Sequence, residues 1–120
     1  MRAFIHSVFF FLLLFLLACS RDEARAGQSF NGLASFYSYE GSKSASGQKI
    51  ERGALTAAHR TLPFGTRVRV SDPSTGKSVV VTINDRGPFA RGRVIDVSTS
   101  AAKVLDMIDK GVIHVHAEVL

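Results

Sequence analysis

At 120 residues, 46% of them hydrophobic, the chain has room for one small domain and excludes a multidomain enzyme. A formal net charge of +5 suits anionic partners, and a single cysteine excludes a disulfide-stapled scaffold. No phosphate loop, Ser-His-Asp arrangement or nucleotide motif is present, and no cofactor is expected.

The first element is an apolar run, Val8 to Ala18, preceded by the basic Arg2. It falls short of the about 20 residues that span a bilayer and has the length of a signal-peptide core. It ends in Leu16-Leu17-Ala18-Cys19, which resembles the bacterial lipobox, where the cysteine thiol is acylated after cleavage on its N-terminal side. Residues 1–18 are therefore read as a lipoprotein signal peptide and 19–30 as a lipid-anchored tether, with Cys19 the attachment point. Two other readings stay open: cleavage after Ala24-Arg25-Ala26, which releases a soluble protein, and a buried inert thiol. The charged stretch from Arg21 to Arg25 is a poor continuation of an apolar region and favours the anchor. Ser20 is not the Asp that retains bacterial lipoproteins at the inner membrane, so the periplasmic face of the outer membrane is expected. Loss of Arg2 takes the charge from +5 to +4. Export argues against nucleic acid and leaves envelope anions: muramic-acid carboxylates, teichoic-type polymers or lipid headgroups.

From Gly32 the pattern turns to strands. Leu33, Ser35 and Tyr37 alternate with Ala34 and Phe36, and the Ser/Gly/Lys-rich stretch from Gly41 to Lys49 reads as a loop. Thr66 to Val70 sets Val68 and Val70 against Arg67 and Arg69, the two-residue period of a half-buried strand. Asp72-Pro73-Ser74-Thr75-Gly76 is a turn, and the β-branched stretch Ser78 to Ile83 completes a hairpin. Asn84-Asp85-Arg86-Gly87-Pro88 breaks it, since glycine and proline do not continue a ladder. After a short strand, Val94 to Val97, Ser98 is a candidate N-cap for a helix over Ala101, Ala102, Val104, Leu105 and Ile108, with Gly111 as its stop. Val112 to Leu120 closes the chain with Ile113, Val115, Ala117 and Val119 on one face and His114, His116 and Glu118 on the other. Five or six short strands and one helix make an all-β domain over 31–120, expected to hide its edges in a barrel. The pattern alone does not choose the barrel's topology.

Two segments place titratable side chains beside residues that fix the backbone: Thr56 to Thr66, with His59, and Asn84 to Phe89, followed by Arg93-Val94-Ile95-Asp96-Val97-Ser98. Together with Gly32 to Tyr37 and the helix from Ser98 to Leu105, these stretches resemble the rare lipoprotein A family, whose domain is a double-psi β-barrel related to barwin and expansin domains. The resemblance runs from about Gly32 to the C-terminus. It implies a six-stranded double-psi barrel and a peptidoglycan lytic transglycosylase that cuts the β-1,4 bond from N-acetylmuramic acid to N-acetylglucosamine on stem-peptide-poor strands, leaving a 1,6-anhydro sugar.

The family's aspartate falls on Asp85 and its histidine on His59, while its glutamate falls on Gln48, where this chain departs. Because the sugar's own C6 hydroxyl is the nucleophile, one carboxyl can first donate and then accept a proton, so Asp85 can serve alone. It must hold a proton near neutral pH, which burial or a nearby negative charge would favour. Gln48 binds a hydroxyl but does not titrate, and Glu40 or Glu51 is a candidate to replace the missing acid.

Gln48, Tyr37 and Arg86 are the expected substrate contacts; Tyr37 and Tyr39 are candidate stacking platforms, and Phe36 and Phe64 are expected in the core. Asp96 is expected to pair with an arginine, Arg86 or Arg93. His114, His116 and Glu118 have a spacing that suits a metal, against the plainer reading of a solvated strand face, and no metal is expected. Asp85 and His59 carry plain readings as well, a turn former and a hydrogen-bonded structural residue. The same groove without cleavage would make a glycan-binding lipoprotein, as in expansins. A monomer ending at the barrel, without the C-terminal repeat many relatives use for septal targeting, is expected.

Overall fold

A computed structural model describes residues 25–37, 44–49, 51 and 53–120. Cys19, the signal segment, Tyr39 and Glu40 lie outside them.

The hairpin forms as its alternation dictates. Strands β1 (Ser29–Tyr37), β2 (Thr56–Ala58), β3 (Arg67–Ser71) and β4 (Ser78–Asp85) precede β5 (Arg93–Ser98), a helix α1 (Thr99–Val104) and β6 (Ile113–Val119). Val68 opposes Val81 and Val70 opposes Val79 across β3 and β4, all four buried, while Arg67 and Arg69 stay in solvent. Asp72 shapes the connecting turn: its Oδ1 accepts from the Ser74 amide at 2.8 Å and the Ser74 hydroxyl at 2.6 Å, and Gly76 closes it at φ 76°. Those bonds, the Ser74 hydroxyl foremost, hold the Asp72 carboxyl below its usual pKa.

Closure comes from β1. Its first half pairs antiparallel with β6 and its second half parallel with β5, and the six strands close as β1-β5-β2-β4-β3-β6. The all-β, six-stranded double-psi barrel implied by the resemblance is what forms. Every second residue of β3, β4, β5 and β6 points inward, so Val68, Val70, Val81, Ile83, Ile95, Val97, Val115 and Val119 make the core, each fully or almost fully buried. Burying such side chains contributes about 1.5–3 kcal/mol each, which lets the fold stand without a disulfide.

Three details differ from the sequence reading. β2 was not anticipated as a strand, because Thr56-Ala57-Ala58 carries no alternation; it exists because β4 pairs with it in parallel and β5 antiparallel. β1 begins at Ser29, inside the stretch expected to be tether, and Phe30 packs against the core. The helix is capped as expected, Ser98 Oγ accepting from Ala101 N at 3.3 Å, but ends at Val104 instead of running to Gly111. Asp106 turns left-handed at φ 55°, which drops Met107 into the core and leaves Ile108 exposed.

Candidate active site

Asp85 ends β4 at a place where the ladder changes register. Ala57 pairs with Ile83, but Ala58 pairs with Asp85, so Asn84 is the extra residue of a bulge-like irregularity. Such an insertion re-aims the side chain that follows it. The carboxylate is then held from two directions, Oδ1 accepting from its neighbour's amide, Arg86 N, at 2.8 Å and from Ala45 N at 2.9 Å. Ala45 belongs to the turn Ser44–Gln48, docked on β4 by Ser46 N donating to Asn84 O at 3.1 Å. Among the described residues no hydrogen bond reaches Oδ2, which leaves that oxygen for a substrate.

His59 lies beside Asp85 through the backbone, its amide donating to the Asp85 carbonyl at 3.1 Å. Its Nδ1 accepts from the Thr61 and Leu62 amides at 3.2 and 3.1 Å. A neutral imidazole in that position carries its proton on Nε2 and is a donor there. Burial above all, then the charges of Arg86 and Arg60, pushes its pKa below the usual histidine value and keeps the ring neutral. Phe30 covers it with ring centroids 5.0 Å apart.

Two arginines lock these loops together. Arg86 reaches into the histidine loop, NH1 donating to His59 O at 3.2 Å and Leu62 O at 2.8 Å, with its guanidinium 4.0 Å from the centre of the Phe64 ring. Arg60 reaches the other way, donating to Pro88 O at 2.6 Å, Ala90 O at 3.2 Å and Arg93 O at 3.0 Å. Neither arginine was anticipated as a clasp. The signal was available in that each sits in a loop of glycine, proline and polar residues, whose carbonyls need donors.

Two open clefts of about 320 and 310 Å³ lie alongside, and Gln48 and Asn84 line both. Lys49, Glu51, Ala54 and Thr56 complete the first; Ser46, Phe64, Gly65, Thr82 and Ile83 complete the second. Glu51 thus stands in the same cleft wall as Gln48. Asn84 is 4% exposed, and its Oδ1 is buried with no hydrogen-bond partner among the described residues. Asp85 stands one residue beyond the shared wall and lines neither cleft. His59 lines a separate depression of about 160 Å³ with Phe30, Arg60, Arg93 and Val94.

Several expected contacts are corrected. Tyr37, expected to stack on sugar, is 6% exposed because its hydroxyl lies 2.8 Å from Thr56 Oγ1 and its ring is in the wall of the barrel. Arg86, expected to bind substrate, donates through NH1 to the His59 and Leu62 carbonyls. Phe64, expected in the core, is 42% exposed beneath that guanidinium, whereas Phe36 does pack against the core. Phe89 was not singled out as a platform, yet it is 78% exposed directly after the Gly87-Pro88 turn that follows Asp85 and Arg86. Among the described residues Asp96 forms no arginine ion pair; it accepts from Ser35 Oγ at 3.1 Å, and burial raises its pKa above the usual carboxyl value. His114, His116 and Glu118 share an outward strand face, where His116 Nδ1 lies 2.7 Å from Asn31 Oδ1. Among the described residues no three potential ligands gather as a metal site would require.

The chain is similar to known proteins. A family model described as "Lytic transglycolase" matches residues 29–117. The probable endolytic peptidoglycan transglycosylase RlpA of Nostoc is 59% identical over 96 residues, covering 77% of this chain and 26% of that protein. The endolytic peptidoglycan transglycosylase RlpA of Pasteurella multocida is 44% identical over 97 residues, covering 79% of this chain and 33% of that one. This chain therefore spans about a quarter to a third of these relatives. Among solved structures, a Streptomyces papain inhibitor superposes with a TM-score of 0.68 at 23% identity, covering 82% of this chain and 99% of that one. An expansin of Clavibacter michiganensis superposes with 0.64 at 21%, covering 78% and 50%, and at such identities both show the fold alone. The chain belongs to the lytic transglycolase family of double-psi β-barrel domains that includes the RlpA proteins.

Proposed function

We propose that the domain is an endolytic peptidoglycan transglycosylase, with Asp85 as the reacting carboxyl and His59, whose backbone is bonded to that of Asp85, as a neutral hydrogen-bond donor to the glycan from the adjoining depression. The observation that carries the reading is the way Asp85 is held. Two backbone amides fix Oδ1 and leave Oδ2 without a protein partner among the described residues, beside a loop whose histidine has its Nδ1 filled.

The glycan would lie over the Gln48–Asn84 wall toward Asp85, with Phe89 offering an exposed ring for a sugar face. As the C1–O4 bond of N-acetylmuramic acid breaks, the departing oxygen takes the proton of the Asp85 carboxyl, the C6 hydroxyl attacks C1, and its own proton passes to the Asp85 carboxylate, which restores it. Water is not consumed, so the hydrolase requirement for a second carboxylate to activate it does not apply. Gln48 is a ligand for a hydroxyl or amide and takes no part in the proton transfers.

Incubation of the domain with glycan strands stripped of stem peptides should produce 1,6-anhydro-muramyl ends detectable by mass spectrometry, and Gln48→Glu should raise the rate. Binding without any anhydro product would favour the second reading, a non-catalytic glycan-binding module, which the Gln48 departure supports.

The chain is further proposed to be anchored through an acylated Cys19 at the periplasmic face of the outer membrane, on the lipobox-like Leu16-Leu17-Ala18-Cys19 and the following Ser20. The intact mass of protein extracted from membranes checks this: added acyl groups support it, and an unmodified N-terminus after Ala26 refutes it.

A further inference from the structure

The depression beside His59 has a chemistry of its own. Phe30, His59, Arg60, Arg93 and Val94 line it, with no carboxylate among them. Phe30 and Val94, both packed against the core, give it apolar wall. The other three residues are donors. The His59 Nδ1 is filled by the Thr61 and Leu62 amides, which leaves the proton on Nε2 to give. Arg60 donates to the Pro88, Ala90 and Arg93 carbonyls through two of its nitrogens, and among the described residues its third has no hydrogen bond. The Arg93 side chain has neither a hydrogen bond nor an ion pair among the described residues; Asp96 feels its charge, but Oδ1 of that carboxyl is taken by Ser35. A guanidinium is always charged, so the depression is a cationic pocket with an apolar side.

Its size narrows the ligand. About 160 Å³ has room for about five water-sized groups, enough for a short branch and too little for a sugar ring. The branch that suits these walls is a carboxylate carrying a methyl group: the charge meets the arginines and the imidazole donor, and the methyl meets Phe30 and Val94. The location ties that branch to the glycan. The His59 amide is bonded to the Asp85 carbonyl, and Arg60 holds the carbonyls on both sides of Phe89, the exposed ring that would take a sugar face.

We propose that this depression binds the D-lactyl carboxylate of a muramic acid without a stem peptide, Arg93 being its main partner with Arg60 and the His59 Nε2–H beside it. This rests on the transglycosylase reading above, which brings the sugar to Asp85. The lactyl ether leaves the muramyl ring at C3, two carbons from the reacting C1, and ends in a carboxylate next to a methyl. A stem peptide turns that carboxylate into an amide, which removes the charge and adds a chain the depression has no room for. N-acetylglucosamine has only a hydroxyl at C3 and leaves the depression empty. The pocket therefore selects which of the two alternating sugars presents its C1 to Asp85.

The test measures binding to two preparations of peptide-free strands, one native and one with its lactyl carboxyls converted to methylamides, for wild type, Arg93→Gln and Arg93→Lys, with anhydro ends counted on both. Wild type should bind the native strands about tenfold or more tighter than the amidated ones, the scale of a hydrogen bond to a charged group. In Arg93→Gln that ratio should fall to within about twofold of unity, and Arg93→Lys, which keeps the charge without the fork, should retain part of it. Added salt should shrink the wild-type ratio. Equal binding of both preparations by wild type, or a wild-type ratio surviving in Arg93→Gln, would overturn the inference. Competition by free D-lactate as strong as that by N-acetylmuramic acid would mark a general small-anion site and sink the muramyl assignment. If the ratio behaves as described and wild type forms no anhydro ends, the subsite stands and the transglycosylase reading fails.

Discussion

Arg86 and Arg60 each reach across the gap between the two site loops and donate to the other's carbonyls, which holds the loops that carry His59 and Asp85 together. Arg86→Ala should lower stability by about 2 kcal/mol, the scale of hydrogen bonds from a charged donor, and leave Phe64 uncovered; urea unfolding reads it. An unchanged midpoint would mean that the clasp is incidental. The depressed His59 pKa carries a pH signature. Between its folded value and the ordinary value of about 6.5, the unfolded chain binds more protons, so this histidine's share of stability is full above that window and is lost as pH falls through it. Thermal melts of wild type and His59→Gln should therefore converge on acidification through that window. At this scale Asp85 and His59 were visible in the sequence because glycine, proline and arginine frame them. Tyr37 and Phe64 were misassigned because aromatic type alone does not tell which side of a strand or loop faces water.

At the scale of elements, alternation made the β3–β4 hairpin and β6 readable, since half of each strand is buried and half is wet. β2 was not readable: two alanines and a threonine carry no period, and only pairing with distant strands on both sides makes them a strand. The same pairing places Asp96 in a row with Asp85, a relation no local pattern holds. β1 contains the tightest constraint of this kind. A side chain at Gly32 would run into the γ-methyls of Val94 on the facing strand and crowd the Gly92 carbonyl. Valine has no rotamer freedom to yield, so Gly32→Ala should cost about 1–3 kcal/mol, measured as a shifted denaturation midpoint with an unchanged slope. A neutral substitution would contradict the β1–β5 register on which the site depends. The short helix has a similar lesson: Ser98 announced its start, but its stop was set by Leu105 and Met107 needing the core, and the left-handed Asp106 supplies the turn between them.

For the whole molecule, closure into a barrel removes exposed strand edges and supplies stability without any cross-link, in a chain whose single cysteine is proposed to carry lipid. The barrel's crossings bring β4 and β5 to either side of β2. The family was legible because several motifs occur in the right order, whereas the clefts were not, since Gln48 and Asn84 meet only after the Ser44–Gln48 turn docks on β4. The central claim is that Asp85 performs the chemistry, and Asp85→Asn assayed on stem-peptide-free glycan strands tests it most directly. The variant should bind strands as wild type does and form no anhydro-muramyl ends; anhydro ends accumulating at the wild-type rate would contradict it.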